Sequence, residues 1–570
     1  MAATATFSAL LNPELLQIPA TFLVLGIAFH QCIRTYEIDN RIWSFVALYL
    51  GAWLALCAAY VYIYSLSVAS TIGCAIYASC CFNLGLTISI LAYRAFWHPL
   101  RKFPGPWDAK LSRLFLVKQA INRTQYHLDL QEMHQTYGDF VRTGPREVSI
   151  NRPAAVLTIY GPQSLCTRSP WYSHVSDDIS QTSLNSTRDP NVHRRRRKAW
   201  DRGFSIKALA AYETSVQNKV DVLIDQIRSR VNEPLDASQW MMYFAFDVMG
   251  LVGFSQDFRQ LEDGAEQEAI KELHQQMLFL GILKPAPWIL TILGSIQGLV
   301  GEYGQFMTYC EDRISEQKKK WASKSEKVGD KVPTNVISWL LKALEEGDPS
   351  APPGDQALNE DGRLMMIAGS DTTGVTLAHA LFYLASNIDA YRKLQKELDH
   401  TFGDGAEASQ FTNKNLQSLA YLEAVIHETL RLKPAVPSGQ PRVTPSEGLQ
   451  VDEVWIPSKT IVVVPQYVIQ RDERYFPSGS RFIPERWLDE KDDLVKHEEA
   501  FFPFQLGQYS CVGKQLALMQ LRSVISRIAY NFDLAFAAGE DGTAFDGDAK
   551  DTFTFTIGPL SLVFTERARQ

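Results

Sequence analysis

The sequence predicts a mainly α-helical globular domain with small β-sheets, preceded by an N-terminal transmembrane anchor. Only six of the 119 charged residues (56 basic and 63 acidic) occur in the first 96 residues, and none occurs between residues 42 and 93. Most of the remaining chain has the apolar periodicity of amphipathic helices, with a few short β-branched runs typical of strands. An apolar content of 46% and only eight cysteines in 570 residues exclude a disordered chain and a disulfide scaffold.

The N-terminal segment contains three apolar stretches near the length of about 20 residues that a transmembrane helix requires. They cover residues 15–33, 42–64 and 71–92. We therefore expect a membrane anchor over residues 1–100 with up to three transmembrane helices. A single span, with the other stretches at the membrane surface, is the alternative. Because basic residues favour cytoplasmic loops, those that follow the first and third stretches place the body in the cytosol.

Residues 101–570 are predicted to form one large domain. It begins with a stiff hinge, Phe-Pro-Gly-Pro-Trp at residues 103–107, in which two prolines disfavour a helix. The net charge of −7 argues against nucleic acid as a partner. The periodicity predicts helices at 208–231, 265–279, 358–386, 416–432 and 514–530, and strands at 138–142, 147–150 and within 451–465 and 552–564.

A ten-residue segment with two glycines and one cysteine precedes the last predicted helix. It runs from Phe504 to Gly513 and contains Gly507 and Cys511. Glycines let the backbone approach a flat ligand, and a helix N-terminus favours the thiolate form of a cysteine. A single thiolate does not build a closed zinc site, but it can be the axial ligand of a heme iron. A buried structural cysteine beside a turn is the alternative.

This segment resembles the heme-binding signature Phe-x-x-Gly-x-Arg-x-Cys-x-Gly of the cytochrome P450 heme-thiolate monooxygenases. Phe504, Gly507, Cys511 and Gly513 match the pattern, whereas Tyr509 stands where the family usually has arginine. The resemblance implies heme b (iron protoporphyrin IX) as cofactor, with Cys511 as axial ligand of the iron. The family's arginine contacts a heme propionate, and at Tyr509 a hydroxyl is expected to offer a hydrogen bond without the charge.

A second motif, Ala-Gly-Ser-Asp-Thr-Thr at residues 368–373, lies inside the predicted helix 358–386. Glycine and threonine loosen the backbone hydrogen bonds of a helix, threonine by bonding back to a carbonyl group. Apolar residues on both sides disfavour the alternative of a solvent-facing polar patch. The motif resembles that of the family's distal helix, which implies that Asp371 and Thr372 relay protons to bound dioxygen.

Glu428 and Arg431 lie three residues apart in a predicted helix, where their side chains can pair. By itself this signal is weak, because the spacing Glu-x-x-Arg occurs twice more in the chain. Arg486, in the segment Phe-Ile-Pro-Glu-Arg-Trp, resembles the family's second arginine. The resemblance implies that Glu428, Arg431 and Arg486 form a buried charge cluster that shapes the proximal side of the heme.

A basic run at residues 193–198, His-Arg-Arg-Arg-Arg-Lys, is by itself most often a solvated surface or a localisation signal. In the family's order it falls where a helix supplies Trp/His-x-x-x-Arg to the heme propionates. His193 and Arg197 fit that spacing and share one helix face. Arg442 resembles a further propionate contact of the family.

The resemblance runs from about residue 104 to the C-terminus and is strongest to fungal members of specialised metabolism. It implies a monooxygenase that activates dioxygen and hydroxylates or epoxidises a lipophilic small molecule. Because no flavin or nicotinamide domain is visible, the expected electron donor is a separate NADPH–cytochrome P450 reductase. Membrane lipid of the endoplasmic reticulum is the other expected partner. Desaturation, ring formation or rearrangement, and a non-catalytic membrane protein that binds heme or lipid, are the alternatives.

Overall fold

A computed structural model describes residues 18–37, 41–175, 179–294, 303–324, 330–488 and 491–568. The chain divides into two compact units. The N-terminal unit comprises Met1–Arg113 and Arg142–Pro145, and the larger unit comprises Leu114–Val141 and Arg146–Gln570. The division after Arg113 lies beyond the boundary that we expect at residue 100.

The N-terminal unit contains the helices α1 (Ile18–Ile33), α2 (Ile42–Tyr62), α3 (Val68–Ala92) and α4 (Trp107–Leu111). Two stretches, Ile42–Tyr62 and Val68–Trp97, are long and apolar enough to cross a membrane. The helix at Pro19–Ile33 is apolar but shorter. Two of the three expected spans thus meet the length requirement, while residues 15–17 of the first lie outside the described residues.

Small residues bring α1 and α3 close together. A Cβ atom at Gly26 or Gly85 would collide with a backbone carbonyl oxygen of the facing helix. The two helices also share a hydrogen bond between His30 Nδ1 and Ser89 Oγ, 2.8 Å apart. Close backbone approach and interhelical hydrogen bonds are what stabilise helix pairs in lipid. These contacts attach the short helix α1 to the longer helix α3.

Arg142 explains why the N-terminal unit extends past residue 100. Its backbone N–H donates to the Pro104 carbonyl oxygen at 2.7 Å. Its fully buried guanidinium donates to the Arg94 carbonyl oxygen at 3.1 Å. Gly105, at φ +150°, leaves room for the Arg142 carbonyl group where a Cβ atom would collide with it. The hinge and residues 142–145 therefore pack as one piece.

The larger unit is mainly helical, as the sequence predicts. The predicted helices 208–231, 265–279, 358–386 and 514–530 are present, with ends shifted by at most four residues. The helices are α5 (Leu114–Asn122), α6 (Tyr126–Tyr137), α7 (Pro153–Tyr160), α8 (Pro190–Gly203), α9 (Ile206–Arg228), α10 (Ala237–Phe254), α11 (Gln260–Asp263), α12 (Glu268–Leu283), α13 (Pro287–Gly294), α14 (Tyr303–Ala322), α15 (Val336–Glu345), α16 (Asp355–Ser386), α17 (Ile388–Phe402), α18 (Asn413–Leu416), α19 (Ala420–Leu432), α20 (Gln466–Ile469), α21 (Lys491–Leu494), α22 (Lys514–Asn531) and α23 (Thr543–Gly547).

The predicted helix over 416–432 is present as α19, which begins four residues later, at Ala420, and is preceded by the short helix α18. The first backbone N–H groups of a helix have no partner within the helix. At α19 the carboxylate of Glu397, on α17, accepts hydrogen bonds from the N–H groups of Tyr421 (2.7 Å) and Leu422 (3.0 Å). A side chain from another helix therefore fixes the start of α19.

The strands of the chain are short. They are β1 (Phe140–Gly144), β2 (Glu147–Ile150), β3 (Thr167–Arg168), β4 (Pro234–Asp236), β5 (Arg442–Val443), β6 (Leu449–Val451), β7 (Val454–Ile456), β8 (Ile461–Val463), β9 (Phe532–Phe536), β10 (Lys550–Asp551), β11 (Phe555–Thr556) and β12 (Ser561–Glu566). In the larger unit, β2, β8, β5 and β3 are neighbours in that order, with β2 parallel and β5 antiparallel to β8. A further sheet has the order β4-β12-β9, and two hairpins pair β6 with β7 and β10 with β11.

The longest helix, α16, runs through the core of the larger unit. It packs against α10, α14, α19 and α22, and most of its side chains are buried. A helix that is covered on all sides in this way is a core element. The 368–373 motif on this helix is therefore held in the protein interior.

Candidate active site

A cavity of about 710 Å³ lies inside the larger unit. Helix α16 lines it with Ala368, Gly369 and Thr372, and the loop before α22 lines it with Cys511. Helix α8 contributes further residues, including His193. Three sequence motifs that are far apart in the chain thus meet at one cavity.

The Cys511 loop ends in a tight turn before α22. Gly507 has φ +61°, and a Cβ atom there would collide with backbone carbonyl groups at the end of α7. The N–H group of Cys511 donates to the Phe504 carbonyl oxygen at 2.8 Å. Because α22 begins at Lys514, directly after Gly513, the thiol stands at the N-terminus of that helix. Side chains of this loop, including Phe504 and Cys511, line the cavity.

Two opposing effects act on the Cys511 thiol. Burial raises the pKa of the thiol, whereas the N–H groups of Gly513 and Lys514 and the charge of Arg197 lower it. Burial is the larger effect, so the pKa lies above the usual value for a cysteine. The helix N-terminus contributes in the direction that the sequence predicts, but it does not outweigh burial. The thiol is free and faces the cavity.

Tyr509 lies against two arginines that the sheet brings together. The antiparallel pairing of β3 with β5 places Arg168 directly opposite Arg442. The two guanidinium carbons are 4.4 Å (Arg168) and 4.9 Å (Arg442) from the centroid of the Tyr509 ring. An aromatic face attracts cations, whereas a third arginine at this position would repel the other two. This environment explains why tyrosine fits where the family signature has arginine.

Arg168 and His193 are buried basic side chains, and each has a nitrogen atom without a hydrogen-bond partner among the described residues. Arg168 donates to the carbonyl oxygens of Leu184 (2.8 Å) and Thr187 (2.9 Å). Within the described ranges its Nε atom has no partner, and neither has Nδ1 of His193 or the hydroxyl of Tyr509. Burial lowers the pKa of Arg168 to about 9, and burial and nearby arginines lower the pKa of His193 to about 2.

The structure separates the expected propionate contacts into two groups. His193 and Arg197 line the cavity, and Arg197 also donates to the Ser510 carbonyl oxygen at 2.7 Å. Arg442 is buried, does not line the cavity and donates to Gln440 Oε1 at 3.0 Å. Arg168, which the sequence did not single out, does line it. Its position follows from the register of β3 and β5, which no local motif reveals.

The acid and the alcohol of α16 face different surroundings. Thr372 lines the cavity, and its hydroxyl donates to the Ala368 carbonyl oxygen at 2.8 Å. Asp371 is buried and does not line the cavity. Its carboxylate lies 3.4 Å from Nε2 of His274 on α12. The helix is continuous through this segment, so the two side chains keep the divergent directions of neighbouring helical residues.

Glu428, Arg431 and Arg486 form a fully buried cluster. Glu428 accepts two hydrogen bonds from Arg431, both 2.8 Å long, and two from Arg486 at 3.1 and 3.2 Å. It also accepts from the Ile483 N–H and the Trp487 indole N–H. Burial raises the pKa of Glu428, but the two arginines together lower it by more. The pKa of Glu428 therefore lies below its usual range. None of the three cluster residues lines the cavity.

The side chains around the cavity fit a heme group. A single thiol faces the cavity, and the small residues Ala368 and Gly369 also line it. At the edge formed by β3 and α8, basic side chains with unsatisfied N–H groups suit a ligand that carries carboxylates. The individual roles expected for these residues remain predictions.

The fold and this site define a cytochrome P450. The profile of that family matches residues 104–563, and the chain belongs to the cytochrome P450 family. The fold class, mainly α-helical with small β-sheets, is the one that the sequence predicts.

Three fungal proteins illustrate the similarity. The chain is 38% identical to cytochrome P450 monooxygenase FCK2 of Fusarium pseudograminearum over 555 residues, which cover 96% of this chain and 97% of that protein. It is 38% identical to cytochrome P450 monooxygenase orf5 of Eupenicillium brefeldianum over 487 residues (85% and 95%). It is 34% identical to tryprostatin B 6-hydroxylase of Aspergillus fumigatus over 487 residues (85% and 84%). The chain is a cytochrome P450 monooxygenase, which confirms the predicted enzyme class.

Proposed function

We propose that the protein uses heme b to hydroxylate or epoxidise a lipophilic small molecule in fungal secondary metabolism. The observation that carries this proposal is the common cavity of Cys511 and Thr372, which is large enough for a cofactor and a substrate. A relative named tryprostatin B 6-hydroxylase supports hydroxylation of a small molecule.

The proposed cofactor is held by residues at two places on the cavity wall. Heme ligated by a cysteine thiolate supplies the redox chemistry that activates dioxygen. Cys511 offers the ligand, and Arg168, His193 and Arg197 offer charge and N–H groups to the carboxylates of the heme. Thr372 keeps a hydroxyl group at the cavity, oriented by its hydrogen bond to Ala368.

The substrate space is mostly apolar. Trp171 and Phe553 stack with ring centroids 4.9 Å apart, and both line the cavity. Apolar walls exclude water and favour a lipophilic substrate by about 25 cal/mol for each Å² that it buries. Further apolar lining residues are Met249, Leu273, Leu280, Leu364, Ile367 and Val436.

The proposed electron donor is an NADPH–cytochrome P450 reductase. Helix α8 lines the cavity with one face and exposes Arg194, Arg195 and Lys198 on its surface. Lys514, at the start of α22, is also exposed. The chain as a whole has a net charge of −7, whereas this surface is positively charged. A positive surface suits a partner with an acidic surface.

The proposed location is the membrane of the endoplasmic reticulum, with residues 101–570 facing the cytosol. Helices α2 and α3 have the length and apolar composition of membrane spans, and lipid is their expected surrounding. The contacts of α1 with α3 support an anchor of three helices.

The test is product formation in membranes that contain the protein and a reductase. The membranes are incubated with NADPH and a panel of fungal polyketides, terpenoids and indole alkaloids that includes tryprostatin B. The proposal predicts a product that has gained one oxygen atom and depends on NADPH and on Cys511. Loss of two hydrogen atoms would indicate desaturation or ring formation instead. Absence of any product across the panel, in membranes that contain folded heme protein, would count against the proposed substrate class.

A further inference from the structure

His274 bridges two carboxylates beside the cavity. Its Nδ1 atom is 2.6 Å from Oε1 of Glu266, in the loop before α12. Its Nε2 atom is 3.4 Å from Oδ1 of Asp371 on α16. The side chains of Glu266, His274 and Asp371 are 23%, 27% and 5% exposed. Three titratable groups in hydrogen-bonding contact thus lead from the protein surface to the residue next to Thr372.

The imidazole of His274 is held as a cation. Although burial lowers the pKa of His274, its hydrogen bonds to Asp371 and Glu266 raise it to about 10. The ring of Phe246, on α10, packs edge-on at 5.6 Å and carries no charge. Both ring nitrogens therefore carry protons at neutral pH, one directed to each carboxylate.

The hydrogen-bonding contact of Asp371 leads to α12 and not to the cavity. Its side chain is buried, does not line the cavity and has His274 as its hydrogen-bonding side-chain partner. Reduction of dioxygen to water consumes protons. His274 is therefore placed to give Asp371 a proton.

We propose that His274 and Glu266 form a proton relay that loads Asp371 from the protein surface. The Nε2–H bond of His274 breaks and an O–H bond forms on Asp371, so that the ion pair becomes a neutral imidazole and a carboxylic acid. The other imidazole proton stays on Nδ1, next to Glu266. The partly exposed ring then turns so that the vacant Nε2 atom faces Glu266 and solvent, where it takes a proton from hydronium and the new N–H bond is directed to Glu266. Asp371 passes its proton towards Thr372 and the cavity.

His274 and Glu266 act through Asp371 and are positioning residues of the relay. The inference rests on the proposed function, because it requires an enzyme that reduces dioxygen. It goes beyond that function by assigning the proton supply to two residues of another element. Neither residue belongs to the motifs that define the family in this sequence.

The test uses the heme-loaded full-length protein with reductase, NADPH and dioxygen, without an organic substrate. The rate of NADPH oxidation is measured in H₂O and in D₂O. We expect His274→Gln to slow the reaction about tenfold and to increase the solvent isotope effect, since removal of a general acid exposes proton transfer as the slow step. His274→Lys, which restores a cation with a transferable proton, is expected to recover much of the rate.

The matched control is Glu268→Gln, two residues from Glu266. Glu268 is exposed and its ion pair is with Lys271, 3.7 Å away, so the rate and the isotope effect should stay unchanged. Glu266→Gln should slow the reaction in the same sense as His274→Gln. Because Glu266→Gln leaves the imidazole in place, this variant replaces His274→Gln in the test if His274→Gln does not retain heme.

A stability measurement checks the contact without activity. If His274 and Asp371 interact, the melting temperature of the double variant His274→Gln/Asp371→Asn falls by less than the sum of the two single decreases. Additive decreases in melting temperature would overturn the relay. So would a wild-type rate and isotope effect in His274→Gln or, where that variant lacks heme, in Glu266→Gln. A wild-type protein that binds heme but does not oxidise NADPH would instead overturn the proposed function.

Discussion

Arg168 supplies positive charge at the cavity edge where Tyr509 supplies none. It lies opposite Arg442 in the sheet and has backbone carbonyl groups as its hydrogen-bond acceptors. Two like charges placed opposite each other are destabilising unless an anion lies nearby. The protein without heme therefore bears an electrostatic cost that a ligand with carboxylates removes.

We expect Arg168→Gln to have opposite effects on the two forms of the protein. The melting temperature of the heme-free protein should rise, because one of two facing charges is removed. Heme should dissociate about ten to a hundred times faster, since a charge-assisted hydrogen bond contributes about 1.5–3 kcal/mol. Heme transfer to an acceptor protein measures the dissociation rate. Arg228→Gln, on the surface of α9, is the control, and equal behaviour of the two variants would contradict the assignment.

The pKa of His274 predicts a pH-dependent contribution to stability. Its folded value of about 10 lies above the unfolded value of about 6.5. A raised pKa stabilises the fold fully below about pH 6.5, and this stabilisation is lost as the pH rises towards 10. The imidazole faces two carboxylates, those of Glu266 and Asp371, and both stabilise its protonated form. His274→Gln should therefore lower the melting temperature more at pH 6 than at pH 10, and an equal decrease would contradict this.

The Glu428 cluster joins α19 to the segment that precedes the Cys511 loop. Glu428→Ala leaves Arg431 and Arg486 buried without a carboxylate, which costs about 3–5 kcal/mol. We expect this variant to yield protein without heme, as judged by the ratio of heme to protein absorbance. Glu485→Ala removes a partly exposed ion pair with Lys393 and a hydrogen bond from the Tyr421 hydroxyl, and should cost about 1–2 kcal/mol. Recovery of stable heme protein from Glu428→Ala would contradict the role of the cluster.

Elements whose pattern is local were predicted well. The apolar periodicity of α16 and α22 and the glycines around Cys511 are visible in the sequence, and the structure has both helices and the turn. Helix α19 begins four residues later than predicted, because the carboxylate of Glu397 on another helix fixes its start. The same limit applies to the site. The position of Arg168 depends on a sheet register, and that of His274 on a side-chain contact with Asp371, 97 residues away in sequence.

At the scale of the whole molecule, the N-terminal unit sets the topology. In the proposed orientation, three spans would place the N-terminus in the lumen and the large unit in the cytosol, whereas two spans would place both in the cytosol. We expect an N-terminal epitope to resist protease in intact microsomes and a C-terminal epitope to be digested. Detergent should make both accessible. Digestion of the N-terminal epitope in intact vesicles would show that α1 does not cross the membrane.

The central claim for the whole molecule is that Cys511 holds a heme through its thiolate. The most direct measurement is the absorption spectrum of reduced membranes with carbon monoxide. The wild-type protein should give the strongly red-shifted Soret band of a thiolate-ligated heme, and Cys511→Ala should abolish it while the protein is still expressed. Absence of the band from well-expressed wild-type protein, or its persistence in Cys511→Ala, would contradict the assignment.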